Sequence, residues 1–458
     1  MELSAEQADV VDRIYERGEN VFITGPGGSG KSYLINAIVN IGRERGKVIA
    51  VTASTGVAAD ALKGSTLHSY LGLGLAQEPL TKLVGKVMRN DKLVSKWKKL
   101  DILIIDEISM LDPDLFDKLD HLIRAMRKEL TKPFGGIQLI LSGDFYQLPP
   151  VHPQTRDVRL PVFCFQTEAW AGASLNVIQM TCVFRQRGDT TFIEILNRIR
   201  TGDQTPSDVN ILKSRVNADL NLPGIQPTIM HSRRSNVDEI NQQHLAQLGE
   251  VETKVFKAAI SIDVDSKSEE TKMYRMTILK RAAENIMKSA AARPEITLKE
   301  GAQVMLLANI DPENGLVNGS RGVVSHFVKN GSTTSPVVRF LSGASVQINK
   351  HQWEHVIDGS IGKVIYSQIP MQLAYACTVH KSQGLSLDAV EMSLDRSVFA
   401  CGAAYVALSR VRSLEGLRLL NFTEGAIMTD PLVKNFYMSC ARKSGGVKRG
   451  SDEISQCL

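Results

Sequence analysis

Residues 21–46, VFITGPGGSGKSYLINAIVNIGRERG, constrain the fold of this chain more than any other stretch. An apolar, β-branched run (residues 21–24) passes without a linker into a glycine cluster (residues 25–32). Leu34, Ile35, Ile38 and Val39 then recur on one helical face until Gly46. A strand, a bare turn and a helix in that order make one unit of a parallel sheet. The turn reads G-x-x-x-x-G-K-[ST], and its flanks separate a phosphate loop from a chance glycine cluster. Gly25, Pro26, Gly27, Gly28, Ser29 and Gly30 leave backbone N–H groups able to close around phosphates at a helix N-terminus. Lys31 neutralises the β and γ oxygens, and Ser32 supplies a magnesium ligand. The implied ligands are ATP and Mg2+.

Short apolar runs at residues 48–52, 102–105 and 138–142 alternate with helical patterns and extend the sheet. Asp112 before Pro113 is an N-cap followed by proline in the first turn, opening a helix that carries Leu115, Phe116, Leu119, Ile123 and Met126 on one face. A second alternating block starts at TIMHSR (residues 228–233), continues through the helix-like SNVDEINQQHLAQLG, and resumes with DAVEMSL, YVALSRV and LRLLNF. It reads as a second sheet of the same class. Between its halves, residues 302–370 change texture to short strands joined by glycine and asparagine turns, as a small antiparallel barrel does. The tail from Ala441 has no apolar periodicity and is expected to be disordered.

Two adjacent acids end the run ILIIDEISMLD, at the carboxyl edge where open α/β sheets place their ligands. Asp106 is the candidate magnesium ligand and Glu107 the group that polarises an attacking water, which points to hydrolysis rather than binding alone. LSGDFYQLPPV is a third strand end, placing Asp144 and Gln147 beside the phosphates, where the glutamine amide can bond the γ-phosphate. Arg185 in VFRQ and Arg410 in YVALSR are candidates to reach the transferred phosphate, a contribution of about 10³–10⁵ in rate. With Arg410 on the second sheet, ATP would join two domains and hydrolysis would let them part.

Composition sets only outer limits. The 458 residues exceed one ordinary core, and 43% hydrophobic with 22% charged is the balance of a globular protein. A formal net charge of +5 permits nucleic-acid contact without requiring it. Six cysteines without a CxxC pair indicate a reducing, intracellular compartment, and neither a bilayer-spanning run nor a signal-peptide pattern occurs. His351 and His355 stand at helical metal-ligand spacing, but no further ligand set accompanies them, so a surface or packing role is expected. Aromatics at 6% argue against a non-catalytic single-strand binder built on stacking platforms.

Taken together, GPGGSGKS, VTASTGVAADALKGSTLHSY, IIDEISMLDPDLFDKLD, LSGDFYQLPPV, VFRQ, GAQVMLLAN, LVNGSRGVV, QLAYACTVHKSQGLSLD and YVALSRV resemble the Petite Integration Frequency (PIF-like) DNA helicases of superfamily one B. The resemblance runs from about Leu3 to Tyr437. It implies an α/β protein of two RecA-like P-loop domains with parallel sheets, a small inserted Src-homology-three-like β-barrel and a small wedge element. Residues 1–190 would form the first RecA-like domain with the wedge near 66–95. Residues 191–301 and 371–440 would form the second, 302–370 the barrel and 441–458 the tail.

The implied activity is ATP-driven 5′-to-3′ movement on single-stranded DNA by a monomer that unwinds duplex, forked, RNA–DNA hybrid or G-quadruplex structures. Roles in replication, repair, recombination or telomere maintenance would follow, in nucleus, mitochondrion, nucleoid or virus-infected cell. By the same resemblance Gln7 reads adenine, and Gln383 and Gly384 contact nucleotide. Thr52, Ser54, Thr66, His68, Thr378, His380 and Ser382 contact DNA, for which hydroxyl and imidazole groups suit phosphate bonding. Two positions depart from the family pattern: Ala403 where glutamine is frequent, and Tyr375 where tryptophan is frequent. The alternative reading is a DNA-stimulated ATPase that remodels or binds DNA without separating strands.

Overall fold

The computed structural model describes residues 3–73, 76–150, 161–186, 188–220, 225–231, 234–264, 269–311, 313–331, 333–358, 362–379, 382–395, 398 and 400–443. The chain divides into two compact units. One comprises residues 1–204, 399–406 and 427–458; the other comprises 205–398 and 407–426.

The first unit is built on a six-stranded parallel sheet in the order Ser65–Thr66, Ile49–Ala53, Ile102–Asp106, Gln138–Ser142, Val21–Thr24, Asn176–Gln179. Its inner strands read as unbroken apolar runs because helices cover both faces. Alternate side chains divide between two cores. Val21, Ile23, Ile102, Ile104 and Ile140 pack against the helices Ala5–Tyr15 and Lys31–Glu44, whereas Phe22, Leu103, Leu139 and Leu141 pack against Pro113–Arg127. Asp112 caps the last of these helices, accepting from Asp114 N–H at 2.9 Å, which contributes about 1 kcal/mol.

Residues 67–98 form three short helices, Leu67–Leu71, Leu80–Met88 and Asp91–Lys98, whose buried Leu83, Val87, Leu93 and Trp97 join the core around Pro113–Arg127. The chain also returns to this unit at its far end. Helix Pro431–Lys443 buries Val433 and Tyr437 in the same core, and Phe436 stacks on Phe165 with ring centroids 4.3 Å apart. Ala441, the expected start of the disordered tail, is helical, since that helix continues through Lys443; residues 444–458 lie outside the described residues.

The second unit has a four-stranded parallel sheet, Ala376–Thr378, Thr228–His231, Val390–Leu394, Leu417–Phe422, covered by helix Arg234–Gln247. YVALSRV is not one of its strands. Ala403, Ala404, Ala407 and Leu408 are good helix formers without polar–apolar alternation, and they form helix Ala403–Leu408 directly after Gly402. Antiparallel pairing reaches beyond residues 302–370. A five-stranded sheet orders Ser345–Gln347, Thr333–Phe340, Arg321–Asn330, Gln303–Leu306 and Met371–Leu373. A three-stranded sheet joins His351–Asp358, Gly362–Gln368 and Ala259–Asp263, and Thr253–Lys257 pairs with Glu295–Lys299.

His351 and His355 thus share a strand rather than a helix, and burial lowers the His355 imidazole. No cluster of three metal-ligating side chains occurs among the described residues. Tyr375, one of the two departures, is buried where the two kinds of sheet meet. Its hydroxyl accepts from Gln303 N–H at 3.0 Å, and its ring stacks on His244 at 4.7 Å. Among the described residues no helix is long and apolar enough to cross a membrane.

Candidate nucleotide site and nucleic-acid contacts

Four adjacent strands of the first unit deliver their carboxyl ends to one edge of the sheet: Thr24, Ala53, Asp106 and Ser142. The glycine loop leaves the first of these. Gly28 and Gly30 hold φ of +86° and +81°, and a Cβ on Gly28 would lie 2.5 Å from the Cβ of Arg185, so only glycine lets the two segments close. Phe184 N–H, in the same VFRQ segment, donates to Gly28 O at 2.9 Å. Arg185 is therefore held against the loop by its backbone. Helix Lys31–Glu44 has no side-chain cap and no acid in its first turn among the described residues, leaving its positive end available to an anion.

The Lys31 ammonium donates to the carbonyls of Gly25 and Pro26, both at 2.9 Å, and to Ser29 Oγ at 3.3 Å. Burial lowers its proton affinity, and Asp144, Glu107 and Asp106 pull it back up while Arg200 opposes them. Gln7 is buried beside the loop. Its Oε1 accepts from Ser4 N–H at 3.1 Å in a capping box, and its Nε2 would stand 3.2 Å from a Cβ on Gly30. Ser32 is exposed at the second position of the helix.

Asp106 ends its strand buried, and burial raises its carboxyl against the pull of Ser142 and Lys31. One hard carboxylate and one exposed hydroxyl, Asp106 and Ser32, fit a magnesium ion that keeps most of its waters. Glu107 follows in the left-handed region at φ 53°, ψ 45°, a conformation that costs a non-glycine residue about 1–3 kcal/mol. Two contacts to its carbonyl hold it there: Ser54 Oγ donates at 2.9 Å and Met110 N–H at 3.1 Å. Such strain at a buried strand end is typical of a catalytic position.

The third strand end departs from expectation. Asp144 does not face the phosphates as an open acid. It is fully buried in a bidentate pair with Arg200, whose Nε and Nη2 donate at 2.8 and 2.9 Å. Tyr437 donates to Asp144 Oδ1 at 3.4 Å, accepts from Phe145 N–H at 3.2 Å, and shares a 2.6 Å contact with Thr24 Oγ1, directly before the glycine loop. The Arg200 guanidinium lies over the rings of Tyr146 and Tyr437 at 4.7 and 5.7 Å. Tyr405, from the returning segment, accepts the Gly27 N–H at 2.8 Å. Gln147 is buried beside them, and a Cβ on Gly402 would meet its carbonyl at 2.6 Å.

Sequence reasoning missed Arg200, Tyr405 and Tyr437. Arg200 and Tyr437 stand in ordinary helix patterns and Tyr405 in a short apolar one, and only the fold brings them together beside the strand ends.

Two of the expected DNA-contacting hydroxyls are used inside the protein. Thr52 is buried and donates to Ile104 O at 2.7 Å; Ser382 is buried and donates to Val379 O at 2.8 Å. Neither presents its hydroxyl to a strand here, because each satisfies a backbone carbonyl. Thr66 caps helix Leu67–Leu71, accepting from Ser69 N–H at 3.3 Å. His68 follows it, its imidazole lowered by burial with Asp112 opposing. Ser54 keeps its backbone and side chain on the paired acids, with its N–H donating to Asp106 O at 3.2 Å.

In the second unit Thr378 ends a strand beside a cavity of about 240 Å³ that Asn241 and Cys377 also line. Gln383 is buried, Gly384 has φ +83°, and Arg410 is buried with Nη2 donating to Ser409 Oγ at 2.7 Å. His380 lies outside the described residues.

A glycine loop, two strand-end acids and a buried glutamine on the carboxyl edge of a parallel sheet define a P-loop protein of RecA-like architecture. The profile of the PIF1-like helicase family matches residues 2–210, and that of the DNA helicase Pif1 2B domain matches residues 283–327. The chain is 41% identical to the human ATP-dependent DNA helicase PIF1 over 443 residues, which is 96% of this chain and 64% of the human protein. It is 33% identical to the Pif1 helicase of Candida albicans, known from a crystal structure, with a TM-score of 0.72 over 96% of this chain and 99% of that one. A Bacteroides Pif1 helicase crystallised with ADP-AlF3 and ssDNA is 27% identical, with a TM-score of 0.63 over 97% of this chain and 99% of that one. The chain belongs to the PIF1-like helicase family. It spans about 64% of the length of the human relative.

Proposed function

We propose that this chain is an ATP-dependent DNA helicase that moves 5′-to-3′ along single-stranded DNA and separates duplex or forked structures, within the cell. The observation that carries this reading is the junction at Ser54. A residue of the expected DNA-side segment is bonded through its N–H to Asp106 and through its hydroxyl to Glu107, the two acids of the hydrolytic site. The relatives named above as DNA helicases, one of them crystallised with ADP-AlF3 and ssDNA, support the same reading.

In the proposed cycle Lys31 and the loop amides of residues 25–32 hold the triphosphate, with Gln7 at the adenine. Asp106 and Ser32 hold Mg2+, which when bound neutralises charge on the phosphates. Glu107 takes a proton from the attacking water, Gln147 contacts the γ-phosphate, and Arg185 and Arg410 supply positive charge to the transferred group. Thr66, His68, Thr378 and His380, with Ser54, contact the strand. Gln383 and Gly384 lie on the nucleotide side. The wedge is proposed near residues 66–95. G-quadruplex and RNA–DNA hybrid unwinding, action as a monomer, and roles in replication, repair or telomere maintenance extend the same proposal.

Phosphate release measured with and without a single-stranded oligonucleotide tests it. Strong stimulation by the oligonucleotide is expected; a rate indifferent to DNA defeats the motor reading.

A further inference from the structure

The buried pair Asp144–Arg200 sits where a free carboxylate would work against the proposed ligand. Asp144 follows strand Gln138–Ser142, which pairs with the strand leading into the glycine loop in the register Ile23↔Ser142, and Gly143 N–H donates to Ile23 O at 3.1 Å. The carboxylate is thus one residue beyond a ladder contact with the loop's own strand. Tyr437 closes the remaining gap, touching Thr24 Oγ1 at 2.6 Å and Asp144 Oδ1 at 3.4 Å. Both members of the pair are removed from water, at 0% and 5% exposure, so solvent screens neither.

We propose that Arg200 is a positioning and charge-cancelling residue of the nucleotide site: by bidentate pairing it neutralises Asp144, so that the site meets a polyphosphate without that carboxylate's repulsion. This rests on the reading of residues 25–32 as an ATP site.

The surroundings are consistent with that role. Lys31 lies within electrostatic reach of both partners, raised by Asp144 and lowered by Arg200. Burial alone lowers the Arg200 guanidinium, but Asp144 outweighs it and holds it above its ordinary value, so the charge on Arg200 is permanent. A purely structural ion pair would need no such location; a charge-cancelling one would have to be beside the loop.

The test compares Arg200→Met, Asp144→Asn and the double variant in the full chain, reading the affinity of fluorescent ATP and ADP analogues by anisotropy without DNA, at alkaline pH so that an unpaired carboxyl keeps its charge. Thermal unfolding is followed in parallel. Arg200→Met is expected to weaken ATP on the order of tenfold and ADP by clearly less, because repulsion grows with the charge of the ligand. Asp144→Asn added to it is expected to restore ATP affinity even where the midpoint of unfolding does not recover. Equal weakening of ATP and ADP, or a double variant as weak as Arg200→Met, overturns the proposal, since either marks lost packing rather than uncancelled charge. Should Arg200→Met not fold, Asp144→Asn alone decides: ATP affinity tighter than wild type, as the uncancelled Arg200 charge requires, supports the proposal, and equal or weaker affinity overturns it. A wild-type chain that binds neither nucleotide defeats the ATP-site reading itself.

Discussion

The hydroxyl of Ser54 donates to the carbonyl oxygen of Glu107 at 2.9 Å, while the Ser54 N–H donates to Asp106 O at 3.2 Å. One residue of the VTAST segment therefore holds both acids at the end of the neighbouring strand, and it holds Glu107 in a left-handed conformation that glycine would normally occupy. In the proposed cycle, a shift of the backbone at Ser54 would move the candidate water-activating group with it.

Ser54→Ala should therefore lower the DNA-stimulated hydrolysis rate about two- to thirtyfold, the effect of losing one hydrogen bond of about 0.5–2 kcal/mol at a strained position. The readout is the ratio of rates with and without oligonucleotide. An unchanged ratio would show that the Ser54–Glu107 bond plays no part in coupling.

Lys31→Ala and Glu107→Gln should separate binding from chemistry. Removing the ammonium should abolish hydrolysis and weaken ATP, because the charge that faces the phosphates is gone. Glu107→Gln should keep ATP affinity within about threefold of wild type and lower the rate at least 10²-fold, as loss of a general base does. Equilibrium binding and single-turnover hydrolysis, measured side by side, distinguish the two patterns.

Burial pushes the Asp60 carboxyl, on helix Gly56–Ala61, up to about 6 from its ordinary 3.8. Between those values the folded state binds more protons than the unfolded chain, so this group adds stability as pH falls through 6 and subtracts it above. Asp60→Asn should thus stabilise the protein at neutral pH by about 1–2 kcal/mol and do much less in mild acid. Urea unfolding at both conditions measures it, and equal shifts at the two would contradict the assignment.

Much of the nucleotide site could be read before folding because its residues are local. A phosphate loop needs its glycines, lysine and serine in one turn, so Gly25–Ser32 announce themselves, and Asp106 and Glu107 follow four apolar residues that can only be a buried strand. Asp144 was legible as a strand-end acid but not as a neutralised one, because its partner Arg200 is 56 residues away on an unremarkable helix. Tyr405 and Tyr437 were still less accessible, being 378 and 413 residues from the atoms they touch at Gly27 and Thr24. Helix Ala403–Leu408 was misplaced among strands for a simpler reason: six residues of small and apolar side chains satisfy either period, and tertiary context decides. Thr52 and Ser382 match the expected pattern in type, yet burial turns both hydroxyls inward, which no spacing reveals.

The most direct test of the account is unwinding of two partial duplexes that differ only in carrying a 5′ or a 3′ single-stranded tail. The account predicts ATP-dependent separation of the 5′-tailed substrate, lost in Lys31→Ala, and little or none of the 3′-tailed one. Equal separation of both, or separation that persists without hydrolysable nucleotide, would contradict it.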